Sequence, residues 1–153
     1  MKIYFIIIIT SFLLSEPYDG LTLISGGVQD NGNQGWYSHL IDNNQNIINS
    51  WEHDTRLTSI GYLTSDSVLY VPCGPIENRL PERGRFKKMD WDGNIIWDYT
   101  LPDNICIPHH DIAVLPNGNI LAICSETKTQ EEALNAGISS IDGDMTLDMI
   151  IEI

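Results

Sequence analysis

Basic residues are scarce in this sequence: its 153 residues include 8 Lys and Arg against 21 Asp and Glu, a formal net charge of −13. Because such a protein repels polyanions, nucleic acid and anionic membrane surfaces are not expected partners. The sequence also lacks a phosphate-binding glycine loop, a Cys-x-x-Cys pair, a coiled-coil repeat and any low-complexity stretch. These absences argue against a P-loop nucleotide site, a thioredoxin-like redox site and a coiled-coil assembly.

Long apolar runs are equally scarce. One, residues 3–14, follows Met1 and Lys2 and has the length of a signal-peptide core, too short to span a bilayer comfortably. The sequence therefore predicts a signal peptide over residues 1–15, with the cleavage site left open and an uncleaved anchor as the alternative. We expect an exported protein, periplasmic or extracellular, without stable membrane association after cleavage.

Helix signals are confined to one segment. Thr129 and Glu132 fit a capping box, Ala133 and Leu134 favour helix, and Gly137 fits a C-terminal cap. The sequence predicts a helical insertion over residues 129–137.

The remainder consists of short β-type runs joined by tight turns. In residues 84–124, Asp92-Gly93 joins one pair of runs and Asn117-Gly118 joins another, and both dipeptides suit hairpin turns. This stretch is therefore expected to form two hairpins, four antiparallel strands in all.

This unit recurs along the chain. Residues 89–96 align with residues 41–48 and with 141–144, and residues 62–73 align with 113–124. Four strands in each repeat of about 50 residues indicate β-propeller blades.

The predicted fold is all-β, a partial propeller over residues 21–153. Blade one is predicted over residues 34–73, blade two over 84–124, and the start of blade three over 138–153. Since a propeller has at least about four blades, or roughly 200 residues, the remaining blades are expected outside this chain. A complete small β-sandwich is the alternative.

Three cysteines make an odd number for an exported protein. Cys73 and Cys124 occupy equivalent repeat positions, which adjacent blades hold apart, and Cys106 precedes two histidines. The disulfide state of all three stays open, because sequence alone does not supply the required geometry.

The few cations are unevenly placed, and two interpretations stay open. A solvated strand edge, protected by charge from pairing with other chains, is favoured over a local anion site. Five of the eight Lys and Arg residues are concerned: Arg79, Arg83, Arg85, Lys87 and Lys88.

The densest group of chemically active residues is His109, His110 and Asp111. Because side chains alternate along a strand, His109 and Asp111 are expected on one face and His110 on the other, which leaves one histidine facing a ligand. Histidine can act there as base, acid, nucleophile or metal ligand, and a structural hydrogen bond to a neighbouring blade is the alternative. A metal site is disfavoured, because two ligands at most converge. His53 and Asp54 are interpreted as a loop pair.

These residues also carry a family resemblance. Residues 84–137 read GRFKKMDWDGNIIWDYTLPDNICIPHHDIAVLPNGNILAICSETKTQEEALNAG, and residues 148–153 read DMIIEI. Together they closely resemble the bacterial arylsulfotransferases, over about residues 57–153. The resemblance implies an exported six-bladed propeller that transfers a sulfuryl group from a phenolic sulfate ester to a phenol, without a nucleotide donor or cofactor.

The resemblance also implies roles for individual residues. His110 matches a supporting active-site histidine, with His109 and Asp111 as secondary candidates, in a reaction that passes through a sulfohistidine. The family's His-x-Asn-Ser, Ser-x-Arg and Gln-His-Asp segments, the last with the nucleophile, do not occur in this sequence. The chain is therefore expected to be a fragment that lacks the nucleophile and is inactive alone.

A non-catalytic, quinoprotein-like binding propeller is the alternative. Asp90, Gly93 and Trp97 have the Asp-x-x-Gly-x-x-x-Trp spacing of the tryptophan-docking repeat of such proteins, whose aromatic ring packs between blades. A scaffold of this kind repeats the motif in every blade. Trp51 is only loosely placed in the first unit, and the second unit alone has His-His-Asp, which favours a site.

Overall fold

The computed structural model describes residues 18–30, 33–74, 84–102 and 105–153. The predicted signal peptide, Arg79 and Arg83 lie outside these ranges. The all-β prediction is confirmed, since the regular structure described is ten strands and one short helix. The elements are β1 (Thr22–Asp30), β2 (Asn33–Ile41), β3 (Ile47–His53), β4 (Tyr62–Leu63), β5 (Leu69–Cys73), β6 (Arg85–Met89), β7 (Ile95–Thr100), β8 (Ile107–Val114), β9 (Ile120–Lys128), α1 (Gln130–Asn135) and β10 (Met145–Glu152).

The strands form three antiparallel sheets in chain order. The first sheet is β1–β2–β3, the second is β4–β5–β6–β7, and the third is β8–β9–β10. Local turn chemistry produces these meanders: between β6 and β7, the Asp90 carboxylate accepts a hydrogen bond from the Asn94 backbone N–H at 2.8 Å. Gly93 has a φ of +87°, a conformation that glycine adopts without strain.

The predicted grouping of hairpins into blades is wrong. The second sheet combines the last strands of predicted blade one with the first strands of predicted blade two. β5 and β6 pair with each other, so the end of predicted blade one and the start of predicted blade two lie in one sheet. β9 pairs with β10, so residues 84–90 and 120–124 lie in different sheets, and the strand of the predicted third blade completes the third sheet. A sequence repeat reveals its period but not where each structural unit begins. The repeats align equally well whichever residue is taken as the first of the unit.

The second sheet lies between the other two. Every residue of β5 is buried. Leu69 and Val71 pack with Trp51 of the first sheet, whereas Tyr70, on the opposite face of β5, packs with Ile112 and the rest of the core of the third sheet. The period of two along β5 thus supplies two separate cores, one on each side of the sheet.

Two of the three basic residues of β6 are buried, so the solvated-edge interpretation is wrong for these two. β6 is a central strand, and Arg85 and Lys87 are only 3% and 1% exposed. Arg85 donates hydrogen bonds to Asp98 at 2.8 Å and to Asp54 at 2.9 Å, and Lys87 pairs with the same Asp54 carboxylate. Burial raises the pKa of Asp54, but the hydrogen bonds from Lys87 and Arg85 outweigh it and lower the pKa overall. These cations are neutralised within the protein.

The predicted helix is present as α1. The Thr129 side chain accepts from the Glu132 backbone N–H and the Glu132 side chain accepts from the Thr129 backbone N–H, which completes the capping box. Gly137 follows with a φ of +101°. Within the described ranges, no helix has both the length and the apolar character that a membrane span needs.

His53 is a buried residue of β3, which corrects its interpretation as half of a loop pair. Its Nε2 lies 2.9 Å from the Ser38 hydroxyl, and its Nδ1 has no hydrogen-bond partner among the described residues. Burial, assisted by the positive charge of Lys87, lowers the pKa of His53 to about 4.

We expect the free energy of unfolding to fall as the pH is lowered from about 6.5 to about 4. The unfolded chain binds a proton at His53 in this window and the folded chain does not, so acid favours unfolding, by up to about 3 kcal/mol. Urea unfolding at a series of pH values measures the slope. The slope should flatten in His53→Gln and persist in the control His39→Gln; equal slopes in both variants would contradict the assignment.

Candidate active site

The histidine pair lies on an irregular part of β8, one of the two edge strands of the third sheet as described. Pro108 is opposite Cys124 and Ile112 is opposite Ala122, so residues 109–111 of β8 face a single residue of β9. This is a β-bulge, a device that redirects side chains. His110, at its centre, has a φ of +60°, a left-handed conformation that is uncommon for a residue with a Cβ atom.

The bulge overturns the predicted facing of these side chains. The Nδ1 atoms of His109 and His110 lie 2.6 Å apart, and the two rings meet edge to face at 4.8 Å. Asp111 contacts neither imidazole by hydrogen bond and binds the second sheet instead. Strict alternation, which placed His109 with Asp111 and away from His110, fails because the bulge breaks the pleat.

His109 also contacts a residue that sequence reasoning missed. Its Nε2 lies 3.1 Å from Oδ1 of Asp148 on β10. The His109 side chain is 12% exposed, whereas His110 and Asp148 are open to solvent. A carboxylate and two imidazoles therefore form a continuous line that ends at the surface. The run at residues 148–153 contributed to the family resemblance, but nothing in its spacing connects Asp148 with residue 109.

Asp111 ties the second sheet to the third. The Tyr62 hydroxyl lies 2.8 and 2.9 Å from its two carboxylate oxygens, and the Ser59 hydroxyl lies at 3.4 Å. Burial, followed by the hydrogen bond to Asp111 and its negative charge, raises the pKa of Tyr62. The Asp111 oxygens are thus occupied by donors within the protein, which fits a positioning role better than direct attack on a ligand.

A shallow depression of about 10 Å³ lies beside the histidines, enough for roughly one water molecule. Its lining includes Thr58, Arg85, Phe86, His109 and His110. A wider groove of about 580 Å³, lined by Trp97, Tyr99 and Ile153 among others, contains none of the predicted site residues. Within the described ranges, no three His, Cys, Asp or Glu residues are grouped as metal ligands.

A disulfide fixes the segment that leads into the bulge. Cys106 is bonded to Cys124 of β9, with Cα atoms 5.6 Å apart, and both residues are buried. Cys73 is a free, buried thiol, and burial raises its pKa to about 11. The odd count of three thus resolves into one bridge and one unreactive thiol.

We expect loss of this disulfide to lower the free energy of unfolding by about 3 kcal/mol, the value typical of a closed loop of this size. The bridge spans 18 residues, and its removal releases the chain entropy of the loop. Thermal unfolding with and without a reductant tests this on the natural chain and on a Cys106→Ala/Cys124→Ala variant. The reductant should destabilise the natural chain alone; an equal effect on both would assign the change to Cys73.

The sequence of residues 25–153 matches the profile of the arylsulfotransferase (ASST) family. The chain belongs to the arylsulfotransferase family. The resemblance drawn from residues 57–153 is confirmed, and the match extends it through most of the first sheet. No curated protein and no solved structure matches the chain.

In this arylsulfotransferase-family chain, the structure brings together two of the three predicted site residues. His109 and His110 form one cluster with Asp148, while Asp111 belongs to a second cluster with Tyr62 and Ser59. Tyr62 and Ser59 were also missed, because both lie in the preceding repeat and gain their contact only when the sheets stack.

Proposed function

We propose that this chain takes part in sulfuryl transfer from a phenolic sulfate ester to a phenol through a sulfohistidine, in an exported protein. The family assignment supports the reaction class. The observation that supports a particular site is the pair of imidazoles on the β8 bulge, where His110 lies exposed at the centre. The three sheets are proposed to be blades of a larger propeller, because they stack in chain order and none closes.

The proposed reaction has two halves. In the first, a nucleophilic histidine forms an N–S bond while the S–O bond of the donor breaks and its electron pair leaves on the phenolate. In the second, the oxygen of the acceptor phenol forms a new S–O bond, the N–S bond breaks, and the hydroxyl proton is lost. The nucleophile is proposed to come from another blade, since this sequence lacks the Gln-His-Asp segment that carries it in the family.

Charge supports a role for the imidazoles in this reaction. Sulfuryl oxygens and a leaving phenolate are negative, and the chain carries a net charge of −13, so the site needs local donors. Arg85 borders the depression, but its guanidinium is already paired with Asp54 and Asp98. His110, which is exposed, is therefore the residue at this position best suited to interact with the substrate, and His109 supports it from behind.

The test is transfer from 4-nitrophenyl sulfate to phenol, followed by release of nitrophenolate and by mass spectrometry of phenyl sulfate. The assay is applied to this chain and to any longer polypeptide that carries both this sequence and the family's nucleophile segment. Nucleotide-independent transfer is expected of a polypeptide that has both. Absence of transfer by a folded protein that carries the family's nucleophile segment would refute the proposal.

A quinoprotein-like scaffold remains the second candidate because of one contact. Trp51, called loosely placed on sequence grounds, is completely buried, and its Nε1 donates to the Asp90 carbonyl at 2.7 Å. A tryptophan therefore docks the first sheet against the second, as the alternative requires. Binding of an aryl sulfate without turnover would favour this candidate.

A further inference from the structure

Three polar groups form a hydrogen-bonded line from β10 to the surface at the bulge. Asp148 Oδ1 lies 3.1 Å from His109 Nε2, and His109 Nδ1 lies 2.6 Å from His110 Nδ1. Both ring nitrogens of His109 are thereby used, and one ring nitrogen of His110. Among the described residues, only His109 forms a side-chain hydrogen bond with His110, whose side chain is exposed.

The chemistry of these groups sets the position of each proton. An ionised carboxylate only accepts hydrogen bonds, so His109 Nε2 carries a hydrogen. A neutral imidazole has one N–H, so His109 Nδ1 is an acceptor, and the contact at 2.6 Å requires a donor on the other side. His110 Nδ1 supplies that hydrogen. His110 Nε2 is consequently left with a free lone pair.

We infer that Asp148 is a positioning residue which, through His109, holds His110 as the Nδ1–H tautomer with Nε2 as a proton acceptor for a phenolic hydroxyl. Carboxylates orient imidazoles in the same way beside metal ions. The phenol in this inference rests on the proposed function; the tautomer does not.

The proton balance of this role closes without a further reactant. The phenolic O–H bond breaks, its electron pair stays on oxygen, and Nε2 takes the proton while the oxygen attacks sulfur. His110 is then an imidazolium whose Nδ1–H still donates to His109. When the next donor ester is cleaved, the same proton passes from Nε2 to the leaving phenolate. His110 thus accepts the proton in one half-reaction and donates it in the other.

Nitrogen NMR tests the tautomer directly. The natural chain is labelled with ¹⁵N-histidine and examined at a pH of about 8, above the range in which histidine is usually protonated. We expect Nδ1 of His110 to be protonated and Nε2 unprotonated, with the opposite pattern in His109. In Asp148→Asn, whose amide can also donate, both imidazoles should become mixtures of tautomers.

Glu152→Gln is the matched control, because it removes a carboxylate from the same strand that contacts Asn119 and not the imidazoles. In this control, His109 and His110 should keep the tautomers that they have in the natural chain. Unchanged His39 and His53 signals in both variants show that the fold is retained. A protonated Nε2 on a neutral His110, a doubly protonated His109, or unchanged tautomers in Asp148→Asn would overturn the inference.

An activity measurement separates this inference from the proposed function. In a form of the protein that transfers sulfuryl groups, Asp148→Asn should lower turnover about 10- to 100-fold, as loss of an orienting partner does at metal-bound histidines. Glu152→Gln should not. Failure of all transfer would refute the proposed function and leave the tautomer result standing. A change of tautomer in Asp148→Asn without loss of turnover would overturn the catalytic role assigned to Asp148, His109 and His110.

Discussion

Substitution of His110 by alanine is expected to lower sulfuryl transfer on the order of 100- to 1,000-fold, the effect typical of losing one oriented donor at a charged transition state. His110 lies at the open end of the line formed with His109 and Asp148, and its side chain is exposed where a ligand can approach. Initial rates of transfer from 4-nitrophenyl sulfate to phenol, in the longest active form of the protein, measure the effect.

His39→Ala is the control, since the His39 imidazole, like that of His110, has one side-chain hydrogen bond among the described residues, to Ser50. It should retain the rate. Thermal unfolding of each variant separates lost chemistry from lost structure. An unchanged rate in a folded His110→Ala variant would remove the bulge from the active site.

His109→Ala is expected to reduce both the rate and the stability. Alternation alone placed His109 on the face away from His110, but its contact with His110 at 2.6 Å makes its imidazole part of the same unit. Because residues that act as a unit are not additive, the double variant should be little worse than His110→Ala.

Substitution of Trp51 by alanine is expected to lower the free energy of unfolding by about 3 to 5 kcal/mol. Trp51 is completely buried between the first and second sheets, where it packs with Leu69 and Val71. The variant loses this packing and also leaves the Asp90 carbonyl without its indole donor. Urea unfolding followed by far-UV circular dichroism measures the change.

Trp91→Ala provides the matched control. Trp91 contacts Trp51 edge to face at 5.6 Å but is 40% exposed, so the same substitution should have a much smaller effect. The loss of free energy of unfolding in Trp51→Phe should lie between the losses in the two alanine variants, because phenylalanine keeps most of the apolar volume but lacks the N–H donor. Equal losses in Trp51→Ala and Trp91→Ala would show that Trp51 does not dock the sheets.

Features that depend on neighbours in sequence were predictable. The turn at Asp90 and Asn94 closes over four residues, and the capping box at Thr129 and Glu132 over three. The period of the repeat and the all-β class follow from the same local patterns. Membership of the arylsulfotransferase family was also evident from sequence, since the match needs only the order of residues.

The candidate site could be predicted only in part. The residue types at 109–111 identified it, but their directions depend on a bulge that alternation does not foresee. Similarly, the cations of β6 were interpreted as exposed, because their carboxylate partner, Asp54, lies 31 and 33 residues away from Arg85 and Lys87.

By itself, the sequence determined which strands and turns form, the spacing of the repeat and the presence of two adjacent histidines. The tertiary structure alone decided which hairpins share a sheet, that Cys106 bonds to Cys124, and that Asp148 reaches His109 across 39 residues. The physical reason is that turns and caps are stabilised within a few residues, whereas pairing of sheets and burial of charge depend on segments that meet only when the chain is folded.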